Sequence, residues 1–382
     1  MKFTATLLFC IGSLMLAATT ETPAELSIRK AQLEIDKQPD HAPYYNSLAM
    51  AYARRARETS DVTFYEKAEE TLQQSLKIAP GNFEARKVET WLQLGRHEFA
   101  KAVELATALN KETPDDLTVY GYMADANAEL GNYPQAVEAA QWMLNLRAGN
   151  VPGLTRAAYL RELHGKLSGA MDLMQMAYDS TPFEQSEDRA WLLTQMSHLA
   201  LAQGDLHRAE NYAAGALGLF PKYHYALGVL AQVRQAQGRN DDAVVLLQQR
   251  FEAAPHAENL YALAQALEAS GRHEEAVKAF AEFERKALLE SKLTDNANHE
   301  LIAYYVDVAH KPEEALRVAE MEIARRHDVF TLDSYAWALA ANGDFARADA
   351  EEHKALAVGT KDAGILHHAE VIAARSSATA SR

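Results

Sequence analysis

The chain has one cysteine in 382 residues, Cys10, and it lies inside an apolar run near the N-terminus. Everything after that run is without a disulfide, a thiol nucleophile or a thiolate metal site. Catalytic signatures are missing as well. No HExxH arrangement sets two imidazoles on one helical face, no GxSxG elbow presents a nucleophile, and no GxxxxGK[ST] or GxGxxG loop cradles phosphate. Asn-x-Ser/Thr is absent. So are basic runs: 38 Lys+Arg stand against 53 Asp+Glu, a formal net charge of −15. An acidic chain repels phosphate, so no nucleic-acid partner is expected. Long hydrophobic stretches stop after the first one. There Lys2 precedes an apolar stretch from Phe3 to Leu16 and the small pair Ala17-Ala18. That order predicts a signal peptide over 1–18, and about 15 apolar residues are too few to span a membrane. Cys10 follows Leu7-Leu8-Phe9 rather than small residues, which argues against a lipid anchor. An exported chain without disulfides points to a bacterial periplasm or the cell exterior, with no membrane insertion once the signal is removed.

What the chain does have is a ladder of nine alanines: Ala68, Ala102, Ala136, Ala170, Ala209, Ala243, Ala276, Ala315 and Ala348. The steps are 34, 34, 34, 39, 34, 33, 39 and 33 residues. A period near 34 means one supersecondary unit copied end to end. In the third unit Tyr120, Met123, Ala124 and Asn127 recur at helical spacing, and Gly131 stops that helix. Pro134 then falls in a first turn, where its missing N–H costs nothing. A second small residue precedes each rung by twelve from Ala124 to Ala336, and Pro80, Pro114, Pro182, Pro221 and Pro255 close their units. Small residues on both helices let them cross closely; a larger one would cost roughly 1–3 kcal/mol.

These residues resemble the tetratricopeptide repeat, whose pattern has a small residue in the first helix, a later Ala and a terminal Pro. The resemblance implies an all-α fold: an α-solenoid, a right-handed superhelix of about nine helix-turn-helix repeats over 43–362. A half-repeat over 19–42 and a helix over 363–375 are expected to cap it, with a polar tail at 376–382. Departures are visible. The aromatic expected four after the rung survives only as Phe280, and unit eight has His310 for Gly and His327 for Pro. The stretches at Phe183–Arg189, near Ala287–Leu293 and at Arg57–Phe64 are expected as surface loops or helix overhangs. Two residues more than usual separate Gly95 from Ala102.

In such a superhelix the first helices line the concave face. The inner positions form a set with seven aromatics and no Lys or Arg, and it includes Glu258 and Glu300. Rigid aromatics on a concave surface are peptide anchors. The candidate partner-binding residues are Tyr159, Trp191, His198, Tyr225, Gln232, Tyr261, Gln265, Tyr304 and Trp337. They predict a protein or peptide partner with a neutral or basic segment. A clamp for acidic C-termini is not expected without cations.

No catalytic, cofactor-binding or metal residues are assigned. His97 and His273 are expected to pack at their turns, in the slot of Tyr133. Adjacent His367 and His368 diverge by about 100° on a helix and cannot chelate together. Glu274-Glu275 and Glu313-Glu314 open second helices, where they offset the dipole. The expected function is a non-enzymatic interaction scaffold. The alternatives are an envelope assembly factor recruited to the outer membrane, and an enzyme using Glu162, His198, Glu268 or Asp307.

Overall fold

The computed structural model describes residues 21–59, 61–291, 296 and 298–380. The expected signal peptide lies outside them. Among the described residues the chain forms helices and no strand. Helix α1 (Pro23–Lys37) precedes nine pairs. These are α2 (Ala42–Thr59) with α3 (Thr63–Ile78), α4 (Phe83–Gly95) with α5 (Phe99–Glu112), and α6 (Leu117–Glu129) with α7 (Tyr133–Leu146). Next come α8 (Val151–Leu163) with α9 (Leu167–Ser180), α10 (Ser186–Ala202) with α11 (Leu206–Leu219), and α12 (His224–Ala236) with α13 (Asn240–Ala253). The last are α14 (Ala257–Ala269) with α15 (His273–Glu290), α16 (His299–Ala303, continued by a π-helical turn over Tyr304–Val308) with α17 (Pro312–Ile323), and α18 (Val329–Ala341) with α19 (Phe345–Leu356). Helix α20 (Ala363–Ala380) follows.

Apart from α15 and α16, consecutive helices pack on one another, and several first helices pack on the next first helix. All nine rung alanines are 0% exposed, so each marks a close crossing. At one crossing Ser197 Oγ donates to Ala209 O at 2.6 Å, tying α10 to α11. Helix starts are capped by short polar side chains: Asn82, Asp116, Asn150 and Asp205 accept from backbone N–H groups within the first turn. Helix α1 docks as a half-unit. Buried Glu58 accepts from Ala24 N at 3.0 Å and Thr22 Oγ1 at 2.6 Å. At the other end α20 continues through residues expected as a tail. Alanines sustain it, and Ser377 Oγ folds back onto Ala373 O at 2.9 Å.

Among the described residues the departures from the period coincide with lengthened helices. Helix α2 has 18 residues and α10 has 17, against 13 in most first helices. Helix α15, at 18 residues, is likewise longer than the 14 of α13. In unit two the spacing resolves differently. His97, not Gly95, takes the left-handed turn position at φ 56°, and Phe99 fills the slot of Tyr133. His310 does the same in unit eight at φ 51°.

The solenoid closes on itself along three seams. In the first, Arg57 pairs with the fully buried Glu187, and Arg54 reaches Asp188 at 3.0 Å. Tyr223 hydroxyl also donates to Glu187, at 2.6 Å. In the second, the connection after α17 meets the α6–α7 turn: His327 N donates to Glu129 O at 3.0 Å and Val329 N to Tyr133 Oη at 2.9 Å. Arg326 pairs with Glu129 and Asp328 and lies over the Phe99 ring. In the third, the α8–α9 turn at Gly165 faces Gly359 and Lys361. The buried cluster around Tyr133 accordingly joins Ala124 and Leu160 to Val329 and Ile365.

Candidate functional site

The lengthened helices border a half-open cavity of about 850 Å³. Units one and two form one wall with Arg57, Tyr65, Trp91 and His97; units six to eight form the other with Tyr225, Glu258, Phe283, Lys286, His299 and Glu300. A cavity of this size, part aromatic and part charged, has the character of a binding site.

Its electrostatics follow from burial. Burial, then Arg326, lowers His97 to about 3, and burial lowers His299 to about 4. Both imidazoles are neutral at physiological pH. His97 Nδ1 lies 3.3 Å from Arg326 Nη1 and acts there as the acceptor. Burial, then the neighbouring Glu258, raises Glu300 to about 7.

Of the nine residues picked out by the inner-face pattern, Tyr225 lines this cavity. Tyr261 and Tyr304 are buried around Phe283, with ring centroids at 4.9 and 5.4 Å. Tyr159 packs beneath the second seam, and burial holds its hydroxyl well above the usual range. Trp191 packs against the core around Leu192 and Met196. Trp337 stacks on His368 at 4.2 Å and donates to Asp307 Oδ1 at 2.9 Å. Gln232 and Gln265 are exposed. His198 Nε2 meets Glu162 Oε1 at 2.6 Å, and that bond raises the His198 pKa. Glu268 instead pairs with His273. The structure thus joins two of the four groups weighed for catalysis and leaves Glu268 and Asp307 with other partners.

The inner wall includes residues outside the aromatic, cation-free pattern. Arg57, Lys286 and Phe283 sit on lengthened helices, and Tyr65 and Trp91 belong to the first two units. The irregular spacing at Arg57–Phe64 and Ala287–Leu293 is the sequence signal that accompanies them.

The architecture defines the class: an all-α helical-repeat solenoid. Residues 200–262 match a family model described as tetratricopeptide repeat. No curated protein matches the chain by sequence. Among solved structures the chain is similar to the APC/C hetero-tetramer Cut9-Hcn1, with TM-score 0.54 at 12% identity over 91% of this chain and 59% of that one. It is also similar to the human IFIT1 dimer with m7Gppp-AAAA, with TM-score 0.53 at 12% identity over 88% and 86%. The chain therefore spans 59% of the Cut9-Hcn1 chain it matches. At such identities the likeness is one of fold. The family match lies on α10–α14, and the same helix-turn-helix pairing runs through nine successive pairs, so the fold is that of a tetratricopeptide-type repeat solenoid.

Proposed function

We propose that this protein is a non-enzymatic interaction scaffold, exported to a bacterial periplasm or the cell exterior, that holds a segment of a partner protein on its inner face. The observation that carries the reading is the half-open cavity, with aromatic faces and buried charge on a stack of helices. A stack of nearest-neighbour units offers preformed area with little ordering cost on binding. Export rests on the sequence of residues 1–18, and the exclusion of nucleic acid on the net charge of −15.

The test is affinity capture by the full chain from the exported fraction, followed by identification of cross-linked partners. Tyr225→Ala with Gln232→Ala and Gln265→Ala should weaken capture of the identified partner without moving the thermal melt. Undiminished capture, or recovery of the native protein in the cytoplasm alone, contradicts the reading.

A further inference from the structure

The cavity is short of positive charge. Of its two basic side chains, Arg57 is committed to Glu187 and Asp188, and Lys286 lies 3.1 Å from Glu290. The neutral imidazoles of His97 and His299 add none, and the third imidazole of the lining, His256, lies 4.0 Å from Glu290. On the wall of units six to eight Glu258 has Arg250 at 3.3 Å, while Glu300 has no lysine or arginine at ion-pair distance among the described residues and feels Arg250 only from farther off. Burial first, and then the crowding of Glu258 on the same wall, disfavours the charge of Glu300.

Asn298 is an independent observation. It lines the cavity and is 2% exposed. Its amide nitrogen donates to Glu322 at 2.6 Å, and because a carboxylate only accepts, the amide orientation is fixed. Its Oδ1 is buried with no hydrogen-bond partner. An orphan acceptor costs on the order of 1–3 kcal/mol, and a donor relieves it. The aromatic faces of Trp91, Tyr225 and Phe283 attract cations through their ring quadrupoles. Orphan acceptor, carboxylate pair and aromatic walls all suit one kind of occupant: a donor-rich cation on an apolar stem.

We propose that this cavity receives an arginine or lysine side chain from the partner protein, held by Glu258 and Glu300. The proposal rests on the scaffold reading above and specifies the chemistry of the segment bound. It explains why a cavity inside an acidic chain lacks a cation of its own for Glu300. It also gives the aromatic wall a role beyond packing.

The probes are N-acetylarginine amide and N-acetyllysine amide, with N-acetylnorleucine amide and N-acetylglutamate amide as controls. Each is titrated into the full chain while the Trp91 indole resonance, assigned with Trp91→Phe, is followed. The cationic amides should shift it saturably and the controls should not. Glu258→Gln with Glu300→Gln should lower affinity for the arginine probe on the order of tenfold, with an unchanged melt. The probe series in the parent protein keeps the proposal testable should that variant fold poorly. No saturable shift from either cationic amide, equal binding of the norleucine amide, or undiminished binding to a folded double variant overturns it. A partner captured independently of its basic residues would leave the scaffold reading intact and overturn this one alone.

Discussion

Six of the turns inside a repeat unit hold a glycine at positive φ, yet two of them differ from the other four. At Gly204, Gly238, Gly271 and Gly343 an added Cβ would meet nothing within 4 Å. There the left-handed backbone alone accounts for glycine. At Gly131 and Gly165 the same Cβ would stand 2.5 Å from the carbonyl oxygens of His327 and Gly359. Those turns need glycine twice over, for conformation and for the approach of a distant coil. His97 and His310 hold the left-handed position with side chains, so the conformation by itself is tolerable. One repeated sequence signal therefore covers two physical situations, an open turn and a turn pressed against a seam.

The largest loss is expected at Glu187, in the first seam. Glu187→Ala leaves Arg57 without its buried partner and should cost about 3–5 kcal/mol in urea denaturation. Glu282→Ala, which removes an exposed pair with Arg285, should leave the midpoint almost unmoved. Equal losses would mean that the first seam is only a surface contact. The glycines sharpen the same contrast. Gly238→Ala should cost about 1–2 kcal/mol for its backbone alone. Gly131→Ala should cost roughly twice that, because the clash with His327 is with backbone and cannot swing away.

Beside the third seam the contrast takes a pH dependence. Among the described residues buried Glu352 has no cation beside it, and burial, then the charge of neighbouring Asp333 and a hydrogen bond to it, raises it from 4.5 to about 8. Asp333 itself is held by His368 Nδ1 at 2.8 Å, which ties α18 to α20. A carboxyl raised on folding contributes stability that is full below 4.5 and is lost as pH rises through about 8. Stability from this group therefore falls across that window. Glu352→Gln should flatten the slope and gain on the order of 2 kcal/mol above it, read from urea midpoints across the window. An unchanged slope would mean that Glu352 ionises freely in the folded chain.

The period was the legible part. It located nine crossings, every one with a fully buried alanine. It read unit two by Gly95, although the five-residue step to Ala102 belongs to His97. The seams were not legible, because a nearest-neighbour pattern carries no information about units four or five apart. Their traces were present as irregularities: long helices at Arg57 and Glu187, and a missing proline at His327. For the same reason inner-face positions derived for an open superhelix could not separate Tyr225, which meets the cavity, from Tyr261 and Tyr304, which meet the core. That distinction depends on how far the stack curls.

The missing proline makes the smallest and most discriminating test. Five units end in proline, and unit eight ends in His327. His327→Pro restores the repeat's own pattern and on that ground should be harmless or favourable. The structure reverses the expectation. The His327 N–H is the donor to Glu129 O at 3.0 Å, and proline has no N–H to give. Proline also restricts the backbone of the preceding Arg326, which pairs with Glu129 and Asp328. The variant should lose about 1 kcal/mol. Its amides should exchange faster at the end of α6 and the start of α18 and be unaltered in α10–α13. The reverse swap at an open position, Pro221→His, should leave exchange at the seams untouched. A stabilised His327→Pro variant would mean that the second seam does not close in solution, and the cavity behind it would then lie open.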